Sequence, residues 1–250
     1  MADDKTTLPP EAEAQVAALA ARARKANGPL MRAINSLGGQ FEGWAARLPA
    51  PARRVADEGA ERLLMGLYRG AAGAGRIVPA AGGHGHKLAA AASGAAGGAA
   101  GIASAVVELP ATVMVMFSAM QKIAAENGFD PDSPEVRLTC IDIFGSGGPG
   151  RDDDGIDTSF LGARLSMNGT TIRALVARVA PAFSAMLGKS LASKAVPVLG
   201  AAAGAGINYA FTAYYQEIAR VRFGLQRLVV DHGEAPVVAA FRAASLPKGR

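Results

Sequence analysis

Two long apolar segments meet at Glu108-Leu109-Pro110 within the stretch from Gly94 to Phe144, and this order restricts what the chain can fold into. The first segment is almost entirely Ala and Gly. The second carries Val113, Met116, Met120, Ile123 and Ala124 at helical spacing. Proline suits the first turn of a helix, and an acid there is favoured by the helix dipole. The tripeptide therefore predicts a helix start, with the helix running from Thr112 to Asn127. Gly128 suits the left-handed position just past a helix end. Ser133-Pro134-Glu135 then predicts a new helix through Phe144.

Half of the residues are apolar, but only 6% are aromatic, and Ala dominates. Ala and Gly each bury little area, so stability has to come from close backbone approach. Strand formers are sparse while Ala, Leu, Met and Arg abound, which predicts an all-α fold. Leu88 to Val107 and Ala195 to Gln216 lack charge for ~20 residues each, the length of a membrane span. Their Ala/Gly content gives little gain in hydrocarbon, so buried or membrane-surface helices are favoured over spans. Gly97 with Gly101, and Gly200 with Gly204, are small residues four apart on one helix face, extended by Gly94 and Gly206. The expectation is a central seam between these two stretches. The same spacing also permits a homo-oligomer.

Helices are predicted over Glu11–Ala26, Leu30–Leu37 and Ala52–Tyr68. Gly82-Gly83-His84-Gly85-His86 and Gly145 to Gly155 read as loops. The last long helices cover 171–194 and 195–229, the second broken near Pro197 and Gly200. Asp231-His232-Gly233 reads as the end of the fold. The expected organisation is a loose N-terminal extension over 1–50, a helical domain over 51–235 and a loose C-terminal tail over 236–250.

Net charge is +5, placed unevenly. Residues 1–100 carry 12 Lys/Arg against 8 Asp/Glu, residues 101–160 carry 3 against 10, and residues 161–250 carry 11 against 3. Basic ends can attract anionic lipid or an acidic partner. Cys140 is the single cysteine. It allows no internal disulfide and fits a reducing cytoplasm, and Met1 to Lys5 shows no secretory signal. With no recognisable nucleic-acid motif and few aromatics, nucleic acid is not an expected partner.

Several motifs fail on inspection. Gly188-Lys189-Ser190 mimics the end of a phosphate loop, but Phe183 stands where its first glycine belongs and a helix is expected in front of it. Gly145 to Gly150 contains GxGxxG, yet Arg151-Asp152-Asp153-Asp154 follows and would repel phosphate. Asp152, Asp154 and Asp157 suggest calcium, but Gly150 and Leu161 occupy the first and twelfth ligand positions. His84 and His86 lack neighbouring ligands and read as a polar turn. Cys140 sits on an apolar face with Leu138 and Phe144 and reads as a buried structural thiol. No GxSxG occurs, and neither a metal nor a cofactor is expected.

Ala99-Ala100-Gly101 through Glu108-Leu109-Pro110, then Ile123-Ala124, Gly128-Phe129-Asp130 and Pro134 to Leu138, resembles the EcsC protein family. A second block runs from Ala195 through Gly204 to Asn208-Tyr209-Ala210-Phe211-Thr212, with Ala219-Arg220 and Phe223. The resemblance spans roughly residues 55–235. The family often has Asp-Leu-Pro where this chain has Glu108-Leu109-Pro110, and Ser118 stands where an arginine is expected. The resemblance implies a mostly helical bacterial protein, named after a gene beside an ABC transporter operon, with no agreed activity or catalytic set.

Four polar positions stand out as functional or structural: Glu108, Asp130, Asn208 and Arg220. Glu108 can cap a helix, pair with an arginine such as Arg220, or act as an acid/base. Asn208 reads as a hydrogen-bond bridge in the Gly/Ala seam. Two functions follow. One is a non-enzymatic, membrane-peripheral accessory protein on the cytoplasmic side of the inner membrane, meeting an anionic surface or a membrane transporter. The other is a hydrolase using Glu108 with Asp130 or Asp142 in a helical pocket.

Overall fold

The computed structural model describes residues 7–26, 105–146 and 197–246, together with 58, 62, 64, 66, 84–88 and 90–92. The described part is all-α, with no strand among the described residues. We number its long helices α1 (Pro10–Ala26), α2 (Ala105–Glu126), α3 (Pro134–Ser146), α4 (Pro197–His232) and α5 (Glu234–Ser245).

α4 is the spine. Its 36 residues form one continuous helix, ~54 Å long at the α-helical rise. Pro197 opens it, as proline does well, and Gly200 lies inside it, so the expected break near these residues does not occur. Burial along α4 follows two lines of alternating four- and three-residue spacing. Phe211, Tyr214, Ile218, Val221, Leu225 and Leu228 form an apolar line, and Asn208, Thr212, Tyr215, Ala219, Arg222 and Gln226 form a largely polar one; all twelve are buried. A helix covered on two such stripes needs neighbours on several sides.

The stretch of α4 from Asn208 to Phe223 meets α2 and α3. Thr112 faces Asn208 and Phe129 faces Phe223, so α2 runs parallel to α4. Asp142 faces Arg222 and Phe144 faces Tyr215, so α3 returns antiparallel. Val113, Met116, Phe117, Met120, Ile123, Cys140, Ile141, Ile143 and Phe144 fill the core between them with Phe211, Tyr214, Tyr215 and Phe223. Phe144 stacks on Phe117 at 5.6 Å and on Tyr215 at 5.0 Å between ring centroids.

The turn between α2 and α3 matches its sequence signals. Gly128 has φ +79°; its N–H donates to Ala125 O, and the Phe129 N–H donates to Ala124 O. These are the two bonds of a Schellman motif. Ser133 Oγ accepts from the Val136 N–H at 3.2 Å, capping α3 ahead of Pro134. At its other end α2 begins at Ala105, so Glu108 and Pro110 lie within the helix rather than at its first residues. Proline so near a helix N-terminus removes only one backbone hydrogen bond.

The lower half of α4 carries a second core, and here the expectation of loose ends is corrected. Leu8, Ala12, Val16, Ala20 and Ala23, in and just ahead of α1, pack with Val221, Leu225 and Leu228 of α4 and Val237 and Phe241 of α5. Leu19 lies against Gly224, where an added Cβ would come within 3.0 Å of its Cδ2. Glycine thus brings α1 close to the spine, as a Gly/Ala-rich sequence requires, but at a position different from those expected. Arg22 pairs with Glu217 at 3.2 Å, and Arg24 Nη1 donates to Ala244 O at 2.8 Å. Ala12, Val16, Ala20 and Ala23 form one helix face whose small side chains look featureless in sequence but match this groove. Likewise Gly233, at φ 86° and ψ 162°, turns the chain from α4 into α5 instead of ending the fold. Helices expected at 30–37 and 171–194, the loop at 145–155 beyond Ser146, and most of the Gly/Ala stretch 88–107 lie outside the described residues.

Candidate functional site

The polar line of α4 buries Asn208, Thr212, Arg222 and Gln226 among the described residues. At the top, Asn208 Nδ2 donates to Thr112 Oγ1 at 3.2 Å, joining α4 to α2. One turn on, Thr212 is fully buried and its Oγ1 has no partner among the described residues. Next, the Tyr215 hydroxyl donates to the Phe144 carbonyl at 3.3 Å. Arg222 Nη2 then donates to Asp142 Oδ2 at 2.7 Å, with the two side chains 1% and 7% exposed. Burying two charges is tolerable only when they are paired this closely. At the bottom, Gln226 Nε2 is buried and unpartnered among the described residues. The line therefore ties α4 to α2 and α3 in one register.

Burial also sets the chemistry of these groups. It pushes the Tyr214 hydroxyl up to about 12. It raises Tyr215 further, with Tyr214 beside it adding to the effect. The Cys140 thiol is fully buried and also raised by burial, which suits a structural thiol rather than a nucleophile.

The four candidate positions do not converge. Glu108 lies in the first turns of α2, its side chain outside the described residues. Asp130 lies beyond the other end of the same helix; α2 alone separates Glu108 from Glu126 by ~27 Å. Paired catalytic carboxylates sit within ~10 Å, so Glu108 and Asp130 cannot act together. Asp130 instead organises the turn, its Oδ1 accepting from the Asp132 N–H at 3.0 Å and its carbonyl from the Ser133 N–H at 3.1 Å.

Arg220 pairs with Glu217 at 2.8 Å, one turn away on α4. It is not a partner for Glu108. With α2 and α4 parallel and Thr112 beside Asn208, Glu108 is ~6 Å before that level and Arg220 ~18 Å after it. Asn208 is buried and bridging, as its sequence context suggested. Asp142, the other proposed catalytic partner, is held by Arg222.

Sequence reasoning missed Arg222, whose signal is its place in the alternating spacing from Asn208 to Gln226. It also missed His86. Residues 84–88 are helical rather than a loop, and His86 is buried with Nε2 3.4 Å from Ser118 Oγ. Ser118 is where the family resemblance led to an expected arginine, and the small hydroxyl is contacted there by the imidazole. Among the described residues no three His, Cys, Asp or Glu side chains gather where they could hold a metal. The Asp152, Asp154 and Asp157 loop and the Gly188-Lys189-Ser190 segment lie outside the described residues.

Beside His86 the same short helix turns outward. Leu88 is 65% exposed, and Lys87 Nζ lies 5.9 Å from the ring centroid of Tyr209, itself 38% exposed.

An all-α protein built on one spine helix, with a buried ionic and hydrogen-bonded line fixing its register, is the class these features define. The chain belongs to the EcsC protein family, whose model matches residues 80–228. No curated protein and no solved structure matches the chain.

Proposed function

We propose that this EcsC family protein is a non-enzymatic, membrane-peripheral accessory protein, acting beside a membrane transporter or in an envelope process of a bacterium. The observation that carries this reading is the division of charge along α4. From Pro197 to Gln216 the helix has no charged residue, whereas from Glu217 onward it carries Glu217, Arg220, Arg222, Arg227 and Asp231. The uncharged half nevertheless holds Asn208, Thr212 and Gln216, and no helix among the described residues is long and apolar enough to cross a membrane. A charge-poor end that cannot span suits attachment to a surface. The excess of Lys and Arg over 1–100 and 161–250 supports attraction to anionic lipid. The dispersal of Glu108, Asp130 and Asp142 gives no support to a carboxylate-pair hydrolase.

Flotation of the purified chain with neutral and anionic liposomes, at low and high salt, tests the reading. Flotation with anionic vesicles that weakens as salt rises is the expected result. Absence of flotation under every condition would overturn it.

A further inference from the structure

Resting on that reading, we infer that the chain meets an anionic phospholipid surface through the corner formed by Lys87, Leu88 and Tyr209. Each of the three supplies something a bilayer interface takes up. Leu88 is 65% exposed, so its apolar side chain is open to an approaching surface. Tyr209 presents an amphipathic ring at the solvent boundary, the chemistry enriched at headgroup level. Lys87 places its ammonium over that ring, 5.9 Å from the centroid, and makes no ion pair with a carboxylate among the described residues. Its charge is therefore available to a lipid phosphate, and its aliphatic stem can lie along the apolar surface.

The corner is also held in place. His86, the residue before Lys87, is buried at Ser118 of α2, so the short helix is pinned on its inner side while Lys87 and Leu88 face outward. Tyr209 follows Asn208, which is anchored to Thr112. The surrounding part of α4 has no charge of either sign to repel or compete. Val230, exposed on the same helix, does not extend this patch. It is ~32 Å from Tyr209 along α4. The charged half of the spine, with α1 and α5, would then point away from the lipid.

The test is flotation of the full chain with phosphatidylcholine vesicles, with and without phosphatidylglycerol. Leu88→Glu and Tyr209→Glu are compared with Val230→Glu, at an exposed position near the far end of α4. Because the two corner side chains are exposed, their variants keep the parent melting temperature. Each is expected to lower partitioning onto anionic vesicles by about tenfold, the effect of withholding one large apolar side chain. Val230→Glu is expected to bind like the parent. A Leu88→Trp variant gives a second readout: its emission should shift to the blue when phosphatidylglycerol vesicles are added. Parent chain that floats while both corner variants float equally well would overturn this inference and leave the peripheral reading standing. Parent chain that never floats would overturn the peripheral reading and this inference with it. Corner variants that change the oligomeric state in size-exclusion chromatography without vesicles would assign the corner to a second copy of the chain, and would also overturn the inference.

Discussion

Removing Asp142 tests whether the polar line of α4 holds the fold. Its carboxylate accepts from Arg222 at 2.7 Å, and the two side chains are 7% and 1% exposed. In Asp142→Ala the guanidinium stays buried and loses the carboxylate to which it donates. Leaving one charge of a buried pair behind costs ~3–5 kcal/mol. Replacing both charges is different, because the desolvation of both ions also disappears. Asp142→Leu with Arg222→Met should fall within ~1 kcal/mol of the parent or exceed it. Urea unfolding followed by far-ultraviolet circular dichroism reads both effects. With a slope of ~2 kcal/mol per molar urea, Asp142→Ala should lower the midpoint by ~2 M. The single variants and the double variant complete a cycle whose coupling should be large and favourable to the pair. An Asp142→Ala midpoint within ~0.3 M of the parent would refute the reasoning, because it would mean that the pair is either hydrated or dispensable.

Three further outcomes are expected. Gly233→Ala should cost ~1–3 kcal/mol, since φ 86° with ψ 162° is a region essentially reserved for glycine; Gly128→Asn, at φ +79° in a Schellman turn, should cost less, and paired thermal melts would show the difference. Cys140 should resist iodoacetamide at pH 8 in the native protein and react once urea exposes it, as mass spectrometry would show; rapid native labelling would contradict its burial. Stability should fall as pH rises above 10, where unfolded tyrosine loses its proton, until about 12, where Tyr214 in the fold also loses it. Over that window the unfolded state binds fewer protons than the folded one, so the slope with pH is negative and amounts to roughly 2–3 kcal/mol for Tyr214. Melting temperatures measured from pH 9 to pH 11.5 would reveal a flat profile if the reasoning fails.

What the sequence disclosed was mostly local. Gly128 and Ser133-Pro134 act through bonds to residues a few positions away, so the α2–α3 turn could be placed from its own letters. The all-α class was legible because propensity agreed along the whole chain. The partners of α1 were not, because Ala12, Ala20 and Ala23 acquire meaning only against Leu225 and Phe241, some two hundred positions away. Gly233 and Pro197 are strong local breakers, but one joins two packed helices and the other opens a helix. Asp142 and Arg222 each look like a charge in an apolar run; only the antiparallel docking of α3 on α4 makes them a pair. For the candidate site, Asn208 was legible as a bridge, while Glu108, Asp130 and Arg220 suggested a convergence that helix length forbids.

The family match ends at residue 228, yet the folding unit does not. Val221, Leu225 and Leu228 lie inside the matched region, and they are covered by Val16 and Ala20 from α1 and by Val237 and Phe241 from α5. Without that cover three large apolar side chains of the spine would face water, each giving up ~1.5–3 kcal/mol of burial. Glu217 makes the same point electrostatically, since it accepts from Arg220 within α4 and from Arg22 on α1. The two ends of the chain are thus bound to the charged half of α4, and the charge-free half carries the exposed corner at Tyr209. α1 and α5 brace α4 from Val221 to Leu228, while α2 and α3 pack along it from Asn208 to Phe223, so the two cores overlap on the charged half of the spine.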